Sequence, residues 1–182
     1  RVAKIESVAA DMLAFTLKPN RNWGGFEAGQ HLQVYVEING VRYSRSYSMT
    51  NISNSSGEIQ IAVKRVPGGL VSNWLHDQIK VGAYIEIGQA FGDQKLPCNQ
   101  PLLLIAGGSG ITPVMSWLQK LARHYQHADV VLLQYSRDQA TLPFQKQLKQ
   151  LAVTMPNFQH LTIITDRPGQ PPIIFDDQQL SQ

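Results

Sequence analysis

The hydrophobic period of the chain changes once, close to residue 98, and that change most constrains the fold. Before it, apolar residues alternate with polar ones. In His31-Leu32-Gln33-Val34-Tyr35-Val36-Glu37-Ile38 every second residue is apolar. The same period recurs in Leu13, Phe15 and Leu17, in Ile59, Ile61 and Val63, and in Ile85 and Ile87. Successive strand side chains point to opposite faces, so this pattern predicts antiparallel strands with one wet face. Asn39-Gly40 lies between two such runs, and both residues tolerate positive φ, which makes a two-residue hairpin. Several short strands at this spacing predict a small barrel or sandwich.

After residue 98 the apolar runs become continuous. Residues 101–106 and 130–135 are two such runs, and 161–164 is a weaker third. Continuous runs suit strands buried on both faces of a parallel sheet. Between the first two, Val114, Leu118, Leu121 and Tyr125 recur at helical spacing within 113–125; between the second and third, Phe144, Leu148 and Leu151 do so within 143–155. Strand–helix–strand–helix–strand predicts a doubly wound α/β unit. The expected division is 1–97 for the antiparallel β domain and 98–182 for the α/β domain, with the polar stretch 93–100 at the boundary.

Composition narrows the function classes. With 43% hydrophobic and 16% charged residues the chain builds packed cores and is not disordered. A formal charge of +3, with no basic stripe carrying interleaved aromatics, argues against nucleic acid. It is compatible with docking an acidic redox partner and equally with a plain solvated surface. The single cysteine, Cys98, forms no internal disulfide and holds no iron–sulfur cluster by itself, so a reducing, cytoplasmic compartment is expected. No signal peptide is visible in Arg1-Val2-Ala3-Lys4, and the apolar runs are too short to span a bilayer. The five histidines show no metal-ligand spacing, and none is assigned to a metal. Trp74 and Trp117 are expected in the core, Cys98 as a loop thiol and His31 as structural. No serine sits in a nucleophile elbow.

The sharpest motif is Leu104-Ile105-Ala106-Gly107-Gly108-Ser109-Gly110-Ile111-Thr112-Pro113, where a buried strand should end and a helix begin. Glycines there permit a tight turn and let backbone N–H groups approach an anion. Thr112 suits the N-cap and Pro113 the first helical position. Free N–H groups and the positive end of the helix dipole then fit a pyrophosphate. The bland alternative is a tight strand–helix connection. Pro113 stands where the G-x-G-x-x-G fingerprint has its third glycine.

Arg45-Ser46-Tyr47-Ser48 offers a guanidinium for a phosphate, an aromatic face for a ring and a hydroxyl for a ring heteroatom, although an ordinary polar strand reads the same way. Alternation places Arg45 and Tyr47 on one face, Ser46 and Ser48 on the other. In Pro67-Gly68-Gly69-Leu70-Val71-Ser72-Asn73-Trp74-Leu75 a turn opens a short helix whose first N–H groups suit a second phosphate. The second parallel strand ends in Gln134-Tyr135-Ser136-Arg137-Asp138, at the position that faces an adenosine ribose. Ser136 and Arg137 suit a 2′-phosphate and hence NADPH, whereas a one-residue shift in register would bring Asp138 to the ribose and favour NADH.

Taken in order, Arg45-x-Tyr47-Ser48, Gly69-x-x-Ser72 and Gly108-x-Gly110-x-x-Pro113 resemble the flavin and pyridine-nucleotide motifs of the ferredoxin–NADP reductase family. Phe26-Glu27-Ala28-Gly29-Gln30 and Phe91-Gly92 also resemble that family, so the likeness covers nearly the whole chain. It is especially similar to bacterial reductases with an appended [2Fe–2S] ferredoxin domain. The resemblance implies a six-stranded antiparallel FAD-binding barrel over 1–97 and an NAD(P)-binding, doubly wound parallel-sheet domain over 98–182. It implies that Arg45 binds a flavin phosphate, Tyr47 packs on the flavin and Ser48 bonds near the reactive ring nitrogen. Met49, Val63 and Lys64 would line the flavin, the last two through their backbone. Gly69, Leu70, Val71 and Ser72 would hold the FAD pyrophosphate. Gly108, Ser109, Gly110, Thr112 and Pro113 would hold that of NAD(P), with Thr112 near the nicotinamide.

The family continues into a further strand with a Cys-Gly-Pro segment that is not present before Gln182, so the nucleotide domain is expected to be incomplete. The function implied is a flavin-dependent reductase carrying electrons from NAD(P)H through FAD to an iron–sulfur protein or an oxygenase or desaturase, with Tyr47, Ser48 and Thr112 at the reacting centre. Alternatives are a reductase for free flavin or a haem domain, and a non-catalytic flavin-holding relay subunit. A [2Fe–2S] cluster enters only with a further domain.

Overall fold

The computed structural model describes residues 1–93, 95–97 and 99–166, together with the backbone of 173–176. The readings of Cys98 and of the chain end lie outside the described residues.

The first half contains β1 (Val2–Ala9), β2 (Met12–Leu17), β3 (His31–Ile38), β4 (Val41–Ser48), β5 (Ile59–Lys64), α1 (Leu70–Gln78) and β6 (Glu86–Ile87). These strands form two three-stranded antiparallel sheets, β1-β2-β5 and β4-β3-β6. Asn39 and Gly40 both take positive φ, 53° and 75°, and turn β3 into β4 as the pair predicts. The inward-pointing alternates Phe15, Leu32, Val34, Ile59 and Ile61 share one core, and an isolated bridge between Met49 and Ile61 joins the sheets. The predicted six-stranded barrel is thereby formed. Sequence periodicity did not show β1, because among its residues only Val2 is buried.

The second half contains β7 (Leu102–Gly107), a single 3₁₀ turn at Gly108–Gly110, α2 (Ile111–His124), β8 (Val130–Ser136), α3 (Gln145–Thr154), β9 (Phe158–Ile164) and β10 (Ile173–Asp176). Strands β7, β8 and β9 are parallel, and β10 adds antiparallel to β9. Leu102, Leu104 and Ala106 pack with Val114, Leu118 and Leu121 of α2 and Leu148 of α3. The expected burial of both sheet faces is met on one face among the described residues. On the other, Leu103 and Ile105 are 61% and 62% exposed.

The two halves share an apolar joint. Phe15 points into the barrel core, whereas its neighbour Ala14, with Met12 and Ala62, belongs to the core of the α/β half. Ala14 and Ala62 are register partners on β2 and β5, and their small side chains let the second core approach. Hydrogen bonds reinforce the joint. The Ala10 amide donates to the Ala140 carbonyl (2.9 Å), Phe144 N–H to the Val8 carbonyl (3.1 Å), and Gln119 Nε2 to the Thr50 carbonyl (2.8 Å).

Candidate cofactor site between the barrel and the parallel sheet

Met49, the residue after β4, bridges to Ile61 of β5, and the space beside that bridge opens into a cleft. The cleft encloses about 400 Å³ and is lined by Ser46, Tyr47, Ser48, Ala62, Lys64 and Val66 on one side and by Ser109, Gly110, Thr112 and Pro113 on the other. The aromatic–hydroxyl segment and the glycine turn, separated by sixty residues of sequence, therefore face the same space. A larger cavity of about 590 Å³, between Trp23 and Tyr84, is lined by none of the candidate cofactor-binding or catalytic residues.

On the barrel wall Tyr47 packs partly into the core, and burial pushes its phenol from 10.0 up to about 12, against the opposing pull of the Arg45 charge. Ser48 sits opposite His31 in the β3–β4 register. Met49 is fully buried and does not line the cleft. Arg45 is exposed, and its Nη1 donates to the Ser44 carbonyl at 2.7 Å, leaving most of its donor fork free. Val63 is buried, and its carbonyl accepts from the His76 ring at 2.8 Å, which pins α1 to β5.

The turn before α1 is built for backbone approach. Gly68 has φ +70°. A Cβ on Gly69 would lie 2.6 Å from Ser72 Oγ and 2.9 Å from Val66 Cβ, so any side chain there forces its neighbours to shift. Ser72 Oγ accepts from Val66 N–H at 3.2 Å, and Val71 is buried. What this turn presents to an anion is therefore its free first-turn N–H groups rather than the Ser72 hydroxyl.

On the opposite wall Gly108 has φ +51°, and a Cβ on Gly110 would meet nothing within 4 Å. The first helical residue is Ile111, and Gly110, already in helical geometry, occupies the cap position. Thr112 is therefore not the N-cap, and Pro113 is not the first helical residue. The 3₁₀ turn winds directly into α2 and moves the helix start forward. Thr112 Oγ1 instead donates to the Ser109 carbonyl at 2.9 Å, and Pro113 remains in the first turn, where the missing N–H costs nothing. A tight turn with positive φ, open space above Gly110 and a helix N-terminus behind it fits a pyrophosphate; the second such turn at Gly69 fits another.

The end of β8 separates its residues. The Ser136 hydroxyl is buried and hydrogen-bonded to Thr141 Oγ1 at 2.9 Å, so it faces inward and is not offered to a phosphate. Asp138 Oδ1 accepts from Thr141 N–H at 2.9 Å and closes its own turn. Arg137 stays exposed, with Nη2 3.7 Å from Asp11 Oδ2.

Asp11, Ser116 and Gln119 carry contacts at this joint that sequence reasoning missed. They are single polar residues in unremarkable local contexts, and only the tertiary fold brings them together.

Residues 1–95 match the family model described as Oxidoreductase FAD-binding domain, and residues 104–172 the one described as Oxidoreductase NAD-binding domain. The glycine betaine monooxygenase reductase subunit of Pseudomonas aeruginosa is 33% identical over 147 residues, 79% of this chain and 40% of that protein. The flavohemoprotein of Pseudomonas putida is 30% identical over 172 residues, 93% of this chain and 43% of that protein. The flavohem-like FAD/NAD-binding domain of nitric oxide dioxygenase from Vibrio cholerae superposes with a TM-score of 0.84 at 27% identity, covering 91% of this chain and 73% of that one. The chain thus spans about two fifths of the length of these curated relatives.

Proposed function

The chain belongs to the FAD- and NAD-binding oxidoreductases of ferredoxin–NADP reductase type, and from that premise we propose that it is the flavin- and nucleotide-binding core of an NAD(P)H-dependent reductase serving an oxygenase component. The observation that carries this reading is the cleft in which Ser46-Tyr47-Ser48 faces Ser109-Gly110 and Thr112-Pro113. A donor of hydride and an acceptor ring held on these two walls would be in contact, which is what transfer between them requires.

In this proposal the domains divide at 97/98, a boundary supported by family matches that end at 95 and begin at 104. Arg45 and the first-turn N–H groups of Leu70, Val71 and Ser72 hold the phosphates of FAD, while Gly69, whose own N–H donates to the Val66 carbonyl at 2.8 Å, shapes the turn; two phosphate sites favour FAD over FMN. Tyr47 packs against the ring system, while Ser48 orients it by a hydrogen bond. Met49, Val63 and Lys64 flank it. Gly108, Ser109, Gly110 and Pro113 receive the nucleotide pyrophosphate, and Thr112 stands at the nicotinamide end. The flavin, when bound, supplies the conversion of a two-electron donor into single electrons. Arg137, without Ser136, reads a 2′-phosphate, so NADPH is the preferred donor. An iron–sulfur partner, and a ferredoxin domain elsewhere in the protein, are the finer form of the proposal. So is a cytoplasmic location, since reduced nicotinamide is the proposed electron source; among the described residues no helix is long and apolar enough to cross a membrane.

Likeness to a flavohemoprotein over 93% of the chain supports a second reading, a reductase that feeds a haem domain. Both readings predict stoichiometric FAD uptake and NAD(P)H-dependent reduction of a one-electron acceptor such as ferricyanide. Failure to take up FAD overturns both. FAD uptake without nucleotide oxidation would leave the non-catalytic relay. Comparing electron delivery to an oxygenase iron–sulfur component and to a globin separates the two active readings.

A further inference from the structure

Asp11 lies in the turn between β1 and β2, on the barrel side of the joint. Both of its carboxylate oxygens are shielded from solvent and have no hydrogen-bond partner among the described residues. A cation approaches from each half. Lys64 Nζ is 3.3 Å from Oδ2, and Arg137 Nη2 is 3.7 Å from the same oxygen. Lys64 also borders the phosphate turn, its Nζ 3.3 Å from where a Cβ on Gly108 would sit. The loop that carries Arg137 is clamped to the same hairpin by the Ala10–Ala140 and Val8–Phe144 backbone bonds, so the spacing of the three groups is set by the fold.

We infer that Asp11 is a specificity-determining counter-charge that, acting through Arg137, weakens the hold on a 2′-phosphate and limits the preference for NADPH over NADH. The inference rests on the reading of Arg137 proposed above. The shielded oxygens of Asp11 cannot themselves touch a nucleotide, so any influence passes through the cations. At 3.7 Å the contact with Arg137 is beyond hydrogen-bond range, and the guanidinium side chain is 62% exposed. Asp11 therefore does not lock Arg137 in one orientation; what it contributes is a fixed negative charge that offsets part of the positive one. Lys64, beside the phosphate turn, is common to both nucleotides, so its response to Asp11 cancels in their ratio. The Arg137 response does not cancel, because only one nucleotide carries the 2′-phosphate. Asp138, the nearest other acid in sequence, is engaged by Thr141.

Calorimetric titration of the protein with 2′,5′-ADP and with 5′-AMP isolates the effect, since the ligands differ by one phosphate. Asp11→Asn should raise the affinity ratio in favour of 2′,5′-ADP by about two- to fivefold, the range of a partly exposed ion pair, and the gain should disappear in the Arg137→Ala background. A purely structural Asp11 would lower the melting temperature and leave the ratio where it was. An unchanged or lowered ratio in Asp11→Asn overturns the inference. If Arg137→Ala lowers the ratio while Asp11→Asn does not move it, the nucleotide reading stands and the counter-charge fails. If Arg137→Ala leaves the ratio unchanged, the reading of Arg137 fails and takes the counter-charge with it. Should Asp11→Asn not fold, Asp11→Leu combined with Lys64→Met removes the carboxylate together with its barrel-side cation, and the same ratio decides.

Discussion

The backbone amide of Gly29 donates to the side-chain hydroxyl of Ser116 across 2.9 Å, in a buried position that joins the lead-in to β3 with the second turn of α2. The same hydroxyl donates to the Pro113 carbonyl at 2.8 Å. One fully buried oxygen thus ties the barrel to the helix whose N-terminus forms a wall of the cleft. Ser116→Ala leaves the Gly29 N–H buried without a partner, which costs about 1–3 kcal/mol. The urea midpoint should fall accordingly. A midpoint unchanged from wild type would show that water replaces the hydroxyl.

Gly69→Ala tests the turn before α1. Gly69 has an ordinary negative φ of −72°, so any defect is steric and not conformational. The added methyl would press on Ser72 Oγ and Val66, and overpacking of this kind typically costs about 1–3 kcal/mol. FAD affinity should fall with it, because the first-turn N–H groups are displaced. Normal FAD affinity in a folded Gly69→Ala protein would remove this turn from the flavin site.

Arg45→Ala removes an exposed guanidinium and disturbs no core residue. A charge-assisted phosphate contact is worth about 1.5–3 kcal/mol, so FAD affinity should drop about ten- to a hundredfold with the melting temperature of the flavin-free protein unchanged. Equilibrium titration by flavin fluorescence measures the drop. Equal affinities would reassign the phosphate to another group.

Tyr47 makes the flavin-free protein less stable in alkali. Its phenol releases its proton near pH 10 in the unfolded chain but only near 12 in the native one, where burial disfavours the phenolate. Below pH 10 both states keep the proton and the difference vanishes. As pH rises from 10 towards 12 the unfolded state alone gains by ionising, so stability falls through that window. Chemical denaturation of wild type and Tyr47→Phe across this range should show a steeper decline in wild type. Parallel declines would mean that Tyr47 is solvated.

Much of this arrangement is legible in the sequence where local chemistry and tertiary packing agree. Alternation marks β3 and β5, Asn39-Gly40 marks the hairpin, and the glycine run marks the turn after β7. The failures have physical causes. Strand β1 lies at a sheet edge, is mostly half-buried or exposed, and shifts register at Val2/Lys4 and Ser7/Ala9, so it leaves no regular period. The start of β9 is disguised by Gln159 and His160; His160 is buried because its ring bonds Gln134 Oε1 at 2.8 Å, a pairing that no local pattern signals. Thr112 and Pro113 look like a cap and first residue, but the 3₁₀ turn had already begun the helix. The cleft itself depends on Ala14 and Ala62 being small enough to let two cores meet, and on single polar residues such as Asp11 and Ser116 that carry no motif.

Flavin and nicotinamide should meet in the cleft between Ser48 and Thr112, with the nucleotide pyrophosphate at Gly110, and anaerobic stopped-flow reduction of the FAD-loaded protein reads that contact. The visible flavin band should bleach on mixing with NAD(P)H. Gly110→Val, which fills the open space above the turn without reaching the Arg45 and Gly69 sites, should slow bleaching at least about tenfold while FAD affinity stays at the wild-type value. Bleaching of Gly110→Val at the wild-type rate, or no bleaching of the wild-type protein by either nucleotide, would show that the two walls of the cleft do not hold flavin and nucleotide together.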